Sequence, residues 1–179
     1  MKIELPIELA TMKVFPLPVS LVTCKDKNGK VNVLTVTYLN GVNEKPPMIG
    51  IAVGVKKHSF SILRDTKEFA VNIPTKDLLS KVDYCGSFSG RDVDKVKECN
   101  FRMEGLFIQE CSINLKCKKV KEFVLGSHCF FIGEIISFKI DMEFIKGNLP
   151  DFNKFHPIIT TFTDYREIGQ KIGEAFKEH

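Results

Sequence analysis

A chain of 179 residues suggests one domain, 1–179, with room for a real hydrophobic core. Its 44% hydrophobic and 27% charged residues are those of a water-soluble globular protein, and no apolar run approaches the ~20 residues that cross a bilayer. A net charge of +4 is too small to argue for nucleic acid, so neither nucleic acid nor a membrane is expected as a partner.

The opening MKIELPIELATMK carries Glu4 and Glu8 within its apolar stretch and lacks a small-residue cleavage pattern. It does not read as a signal peptide, and the cytoplasm is the expected compartment. Val19–Lys25 is the first strand expected, and Val31–Leu39 the second. Asn28-Gly29 between them is a strong hairpin signal, read as a two-residue turn. Side chains alternate along a strand, so Val33, Thr35 and Thr37 share one face and Asn32, Leu34, Val36 and Tyr38 the other. A row of hydroxyls beside an amide suits a flat ligand with a polar edge. Further strands are expected at Met48–Val53, Glu68–Ile73, Cys111–Val120 and Cys129–Ile140, with a weaker one at Ile158–Phe162. Short helices are expected at Ser59–Arg64, at Lys76–Val82 with Thr75 as N-cap, and at Asp92–Cys99. Ile168, Ile172 and Phe176 repeat every four residues and predict a final amphipathic helix. Six or seven strands with few long helices between them favour a mainly β, antiparallel Greek-key barrel over a parallel sheet.

The six cysteines include no C-x-x-C and no zinc-ligand spacing, so no metal is expected and the thiols read as small buried hydrophobes. The basic run KCKKVK at 116–121 reads as the solvated face of a strand. No G-x-G-x-x-G or G-x-x-x-x-G-K-[ST] is present, which argues against a Rossmann domain or a P-loop.

Several segments, in order, resemble the flavin reductase-like, FMN-binding split-barrel family, including its flavoredoxin branch. They are PVSLVTCKDKNGKVNVLTVTY, PPMIGIAV, HSFSILRDTKEFAVNIP, CGSFSGRDVDK, GSHCFFIGEI and DYREIGQKIG, together spanning Pro18 to Gly173. The resemblance implies a homodimer of split barrels with FMN near the subunit interface. It places Asn32, Thr35, Val36, Thr37 and Tyr38 along the flavin. Ser59, with His58 before it, falls beside the phosphate or ribityl chain. Ser89, Arg91, Asp92 and Lys95 lie on the segment that approaches the cofactor. His128 falls in the flavin or nicotinamide environment, where it is the candidate catalytic residue. Relatives often carry Gly-Asp-His where this chain has Gly126-Ser127-His128, and Trp where it has Tyr38.

The residues also have plainer readings. Ser59 suits an N-cap, His128 a satisfied half-buried side chain, and Asn72 either a flavin neighbour or a strand end. Tyr165 and Arg166 are candidates for closing over a dimer-related pocket. Three functions are compatible with the whole. One is an NAD(P)H-dependent flavin reductase passing hydride to flavin N5. Another is an electron carrier with tightly bound FMN and a transient redox-protein partner that docks on charges such as Lys118, Lys119 and Lys121. The third is a non-catalytic flavin-binding dimer.

Overall fold

In the computed structural model, which describes residues 2–10 and 14–175, seven strands form one antiparallel sheet. They are β1 (Ser20–Lys25), β2 (Val31–Val36), β3 (Leu39–Glu44), β4 (Pro47–Gly54), β5 (Glu68–Ile73), β6 (Ile113–Leu125) and β7 (His128–Ile140). Their order across the sheet is β2-β1-β5-β6-β7-β4-β3. The two outermost strands, β2 and β3, are consecutive in the chain and joined only by Thr37 and Tyr38. The sheet therefore curls until its edges meet. Leu39 pairs with Ile51, and the Ala52 amide donates to the Tyr38 carbonyl at 3.0 Å. No ladder joins β2 to β4 among the described residues, and the barrel is split there. The chain is mainly β, as the alternating pattern implied.

Apolar side chains explain the curl. Val22, Leu34, Val36, Ile51, Val53, Phe69, Val71 and Phe131 point into one cluster inside the barrel, closed at one end by Ile62 and Leu63 of α1 (His58–Asp65). A second cluster lies outside β1 and β2, where Val19, Leu21 and Val33 meet Val82 and Cys85 of α2 (Leu79–Ser87). Strand alternation thus gives β2 two buried faces. A short α3 (Lys95–Glu98) follows, with the Asp94 carboxylate accepting from the Lys97 amide at 3.3 Å.

Several expectations need correction. The β1–β2 turn is a three-residue loop, not a two-residue one. Asp26 and Lys30 close it, and only Gly29 adopts positive φ, at 81°. The Asp26 carboxylate also accepts from the Asn28 and Lys30 amides, which fixes a type I turn followed by a left-handed glycine. Strand β3 was not anticipated, because LNGVNE is polar and five of its six residues are exposed. The helix at 92–99 shrinks to α3, since Asp92 and Val93 are tied back to the Ser89 carbonyl. Thr75 makes no side-chain cap; Lys76–Leu78 is a 3-10 turn leading into α2. The final helix does not form over the described residues. Tyr165–Glu167 is a strand, 168–174 are irregular, and Phe176 lies outside the described residues. Gly169 and Gly173 oppose helix there, and Ile172 finds nothing to pack on. No helix among the described residues is long and apolar enough to cross a membrane.

Candidate functional site

The split between β2 and β4 opens into a cleft of about 350 Å³, within the size range of small-molecule sites. One wall is Leu34 to Tyr38, the opposite wall Ala52 to Gly54. Lys56 to Ser59 form the floor at the start of α1, and Cys85 to Arg91 with Lys95 form the remaining side. His128 stands at the start of β7. Of the residues singled out in the sequence, Thr35, Val36, Thr37, Tyr38, His58, Ser59, Ser89, Arg91, Lys95 and His128 line this cleft. Asn32 and Asp92 do not.

Asn32 instead supports a residue that does. Its Nδ2 donates to Ser59 Oγ at 2.8 Å. The Ser59 oxygen is thus occupied as an acceptor, and its own proton is free to donate. Ser59 is not the helix cap; Lys57 holds that position and makes no side-chain cap bond. Ser59 is the second residue of α1, 4% exposed, where backbone amides lack intrahelical partners. Gly90 presses on this arrangement: a Cβ there would lie 2.1 Å from Asn32 Oδ1, which leaves room only for glycine.

Lys95 is the least ordinary group in the cleft. It is 6% exposed, and its one side-chain hydrogen bond among the described residues runs from Nζ to the Cys85 carbonyl at 2.7 Å. No carboxylate among the described residues pairs with it. Burial pushes its pKa below the usual lysine value, and nearby Lys57 pushes the same way. Lys56, Lys57 and Arg91 also line the cleft, are exposed, and make no ion pair among the described residues. The lining contains four such cations and no Asp or Glu. The electrostatic result is a concave, uncompensated positive site beside a helix N-terminus, which favours an anion.

The rest of the lining is apolar or neutral. Leu34, Val36 and Val53 border the cleft with their side chains buried in the barrel core, half-buried Ala52 and Tyr38 offer apolar surface, and the Tyr38 ring meets His128 edge-on at 5.5 Å between centroids. Ser127 Oγ lies 2.9 Å from His128 Nδ1. When the hydroxyl donates there, Nε2 carries the ring proton. The Thr35 hydroxyl is committed to α2, donating to the Val82 carbonyl at 2.6 Å, whereas the Thr37 hydroxyl has no partner among the described residues. Cys85 is pushed up to about 12, first by burial and then by Cys99, whose sulfur is 3.9 Å away. Burial therefore favours the neutral thiol over the reactive thiolate. All six cysteines are free and buried, and no group of three or more potential metal ligands occurs among the described residues.

Other sequence candidates serve structure. Asn72 is fully buried and donates to the Leu21 carbonyl, while its oxygen accepts from the Ile108 amide and Asn114. Tyr165 donates to Asp83, and Arg166 lies 3.8 Å from Asp164. Lining residues that sequence reasoning did not single out include Gly54, Gly86 and Phe88. Phe88 sits in the same SFSGRD segment as its recognised neighbours, and an exposed aromatic between serines was the available signal.

Comparison with known proteins gives a consistent result. The sequence model described as flavin reductase like domain matches residues 12–166. An uncharacterised protein of Archaeoglobus fulgidus is 32% identical over 130 residues, covering 69% of this chain and 73% of its own. The reductase component of FADH(2)-dependent resorcinol hydroxylase from a Rhizobium is 25% identical over 130 residues, covering 71% of this chain and 73% of its own. Among solved structures, flavoredoxin from Methanosarcina acetivorans superposes with a TM-score of 0.90 at 30% identity, covering 99% of this chain and 96% of that one.

Proposed function

The chain belongs to the flavin reductase-like domain family, which supports a flavin-related oxidoreductase role, and on that footing we propose that the cleft holds FMN and receives electrons from NAD(P)H. The observation that carries this reading is the pairing of four uncompensated cations with an uncharged wall, the Leu34–Tyr38 edge and half-buried Ala52, in one cleft. Phosphate requires the first and a flat tricyclic ring the second. The residues fit the group: the Ser59 proton, the free amides at the start of α1 and the buried Lys95 ammonium form a donor set with no carboxylate to repel a phosphate. The strand edge from Leu34 to Tyr38 and half-buried Ala52 would border the ring, with the Thr37 hydroxyl available to its polar edge.

When bound, FMN supplies the redox chemistry, its N5 accepting hydride from reduced nicotinamide. The chain's own residues bind and orient it. Lys95 and Ser59 would hold the phosphate at the α1 end, leaving Tyr38 and His128 to border the ring. His128 offers an Nε2 proton at that end, steadied by the Tyr38 edge and Ser127.

A homodimer belongs to the same reading. Val120, Phe123, Val124 and Leu125 of β6 and Ile136 and Phe138 of β7 are exposed, more apolar surface on one hairpin than a monomer usually leaves in water. Sedimentation as a dimer is the expected result.

The likeness to a flavoredoxin favours a second reading, an electron carrier that keeps its FMN and exchanges electrons with another redox protein. Anaerobic titration of the FMN-loaded protein separates the two. Bleaching of the flavin bands by stoichiometric NADH or NADPH is expected of a reductase. A spectrum that resists both but bleaches with a reduced ferredoxin-like donor would establish the carrier instead.

A further inference from the structure

Among the residues lining the cleft, Phe88 is the one large apolar side chain left exposed, at 51%. It is held in place. Its amide donates to the Tyr84 carbonyl at 3.1 Å as the C-cap of α2, and its ring stacks on Tyr84 at 4.4 Å between centroids and 30° between planes. Tyr84 packs in turn against the outer core cluster. One ring face of Phe88 is therefore backed by the fold, and the other is open at the cleft's rim. An aromatic side chain fixed in this way is a stacking platform for a flat ring.

The charges around it define the ring's owner. A phosphate monoester carries about two negative charges at neutral pH, fewer than the cleft's four cations. Lys95 and the α1 amides suffice for one phosphate. Lys56, Lys57 and Arg91 remain exposed and unpaired, and Arg91 is three residues from Phe88. A neutral aromatic would leave these cations unanswered. A flat ring joined to a second phosphate group answers both features.

We infer that Phe88, backed by Tyr84 and flanked by Arg91, is the platform on which a planar ring of the dinucleotide electron donor stacks. The inference rests on the proposed function and extends it, because it assigns the donor a place outside the flavin's own contacts. Phe88 thereby sets affinity for the dinucleotide and not for FMN.

Two titrations by calorimetry test this: FMN into apoprotein, and oxidised NAD or NADP, which cannot reduce bound FMN, into holoprotein. Phe88→Ala is expected to weaken dinucleotide binding roughly 5- to 100-fold, the usual effect of removing an aromatic stacked on a nucleobase, with FMN affinity unchanged. Phe88→Trp restores binding, and Phe88→Leu, which keeps apolar bulk without a π face, does not. The inference is overturned by an unchanged dinucleotide affinity in Phe88→Ala, by full rescue with Leu, or by an equal loss of FMN affinity, which would make Phe88 a flavin cover. It is also overturned if Phe88→Ala turns a dimer into a monomer, which would place Phe88 in a subunit contact. Wild-type protein that binds FMN but neither dinucleotide removes the platform and leaves the FMN site standing. Failure to bind FMN at all removes the proposed function itself.

Discussion

Two groups of basic residues in this molecule have opposite uses. The run Lys116, Lys118, Lys119 and Lys121 is conspicuous in the sequence, and the fold absorbs most of it. Lys116 pairs with Glu68 at 2.9 Å. Lys119 reaches the Leu63 carbonyl and Glu122, both at 2.9 Å, and Lys121 lies over the Phe123 ring. Lys56, Lys57, Arg91 and Lys95 come from two distant stretches, attract no notice as a run, and converge on one cleft without a carboxylate among its lining. Clustering in sequence therefore says little about field strength. What matters is whether the fold also delivers acids.

The sharpest way to break this contrast is Lys95→Met. We expect a loss of about 2–3 kcal/mol in FMN binding, a roughly 30- to 150-fold rise in Kd, since a charge-assisted buried hydrogen bond is removed. The apoprotein should gain about 1–2 kcal/mol of stability, because an unpaired buried ammonium is replaced by an apolar chain. The pH dependence has a definite sign. The folded Lys95 pKa is lowered, so between that value and the ordinary 10.5 the unfolded chain holds more protons. Apoprotein stability therefore rises with pH across this window, and Lys95→Met should lose that rise in denaturant titrations. A methionine variant that binds FMN like wild type would show that the buried cation is only structural.

Ser59→Ala should have a smaller effect, about 1 kcal/mol or a five- to tenfold weaker FMN Kd, because one neutral donor is lost and Asn32 loses its acceptor. The smallest effect is expected from Lys118→Ala combined with Lys121→Ala: FMN affinity within about twofold, and stability within about 0.5 kcal/mol, as for ordinary surface positions. An effect there comparable to Lys95→Met would erase the distinction between the two groups.

Much of this was legible in the sequence for a physical reason. Strand β5, Glu68–Ile73, is a β-rich run bounded by turns, and it appears with the bounds read from the sequence. The cleft takes the consecutive residues Leu34 to Tyr38, from both faces of the chain, so alternation by itself does not pick them out. Strand β3 escaped notice because an edge strand with five exposed residues carries no apolar period. Over the described residues the expected C-terminal helix does not form, because four-residue spacing cannot hold a helix without a surface to bury it against. In the site, Ser59 lines the cleft as the resemblance implies, while its plainer reading as a cap does not hold: the cap is Lys57, and Asn32 from β2 orients Ser59. The absence of carboxylates around the cleft is a property of the folded arrangement, and no single segment displays it.

The central claim is that this cleft recognises a flavin by its phosphate. The most direct test compares FMN with riboflavin in calorimetric titrations of the apoprotein at low and moderate salt. We predict that FMN binds at least about 100-fold more tightly, with a margin that narrows modestly as salt rises, because the long-range field of exposed Lys56, Lys57 and Arg91 is screened while the contact with buried Lys95 is not. Equal affinity for the two flavins at both salt concentrations would contradict the account.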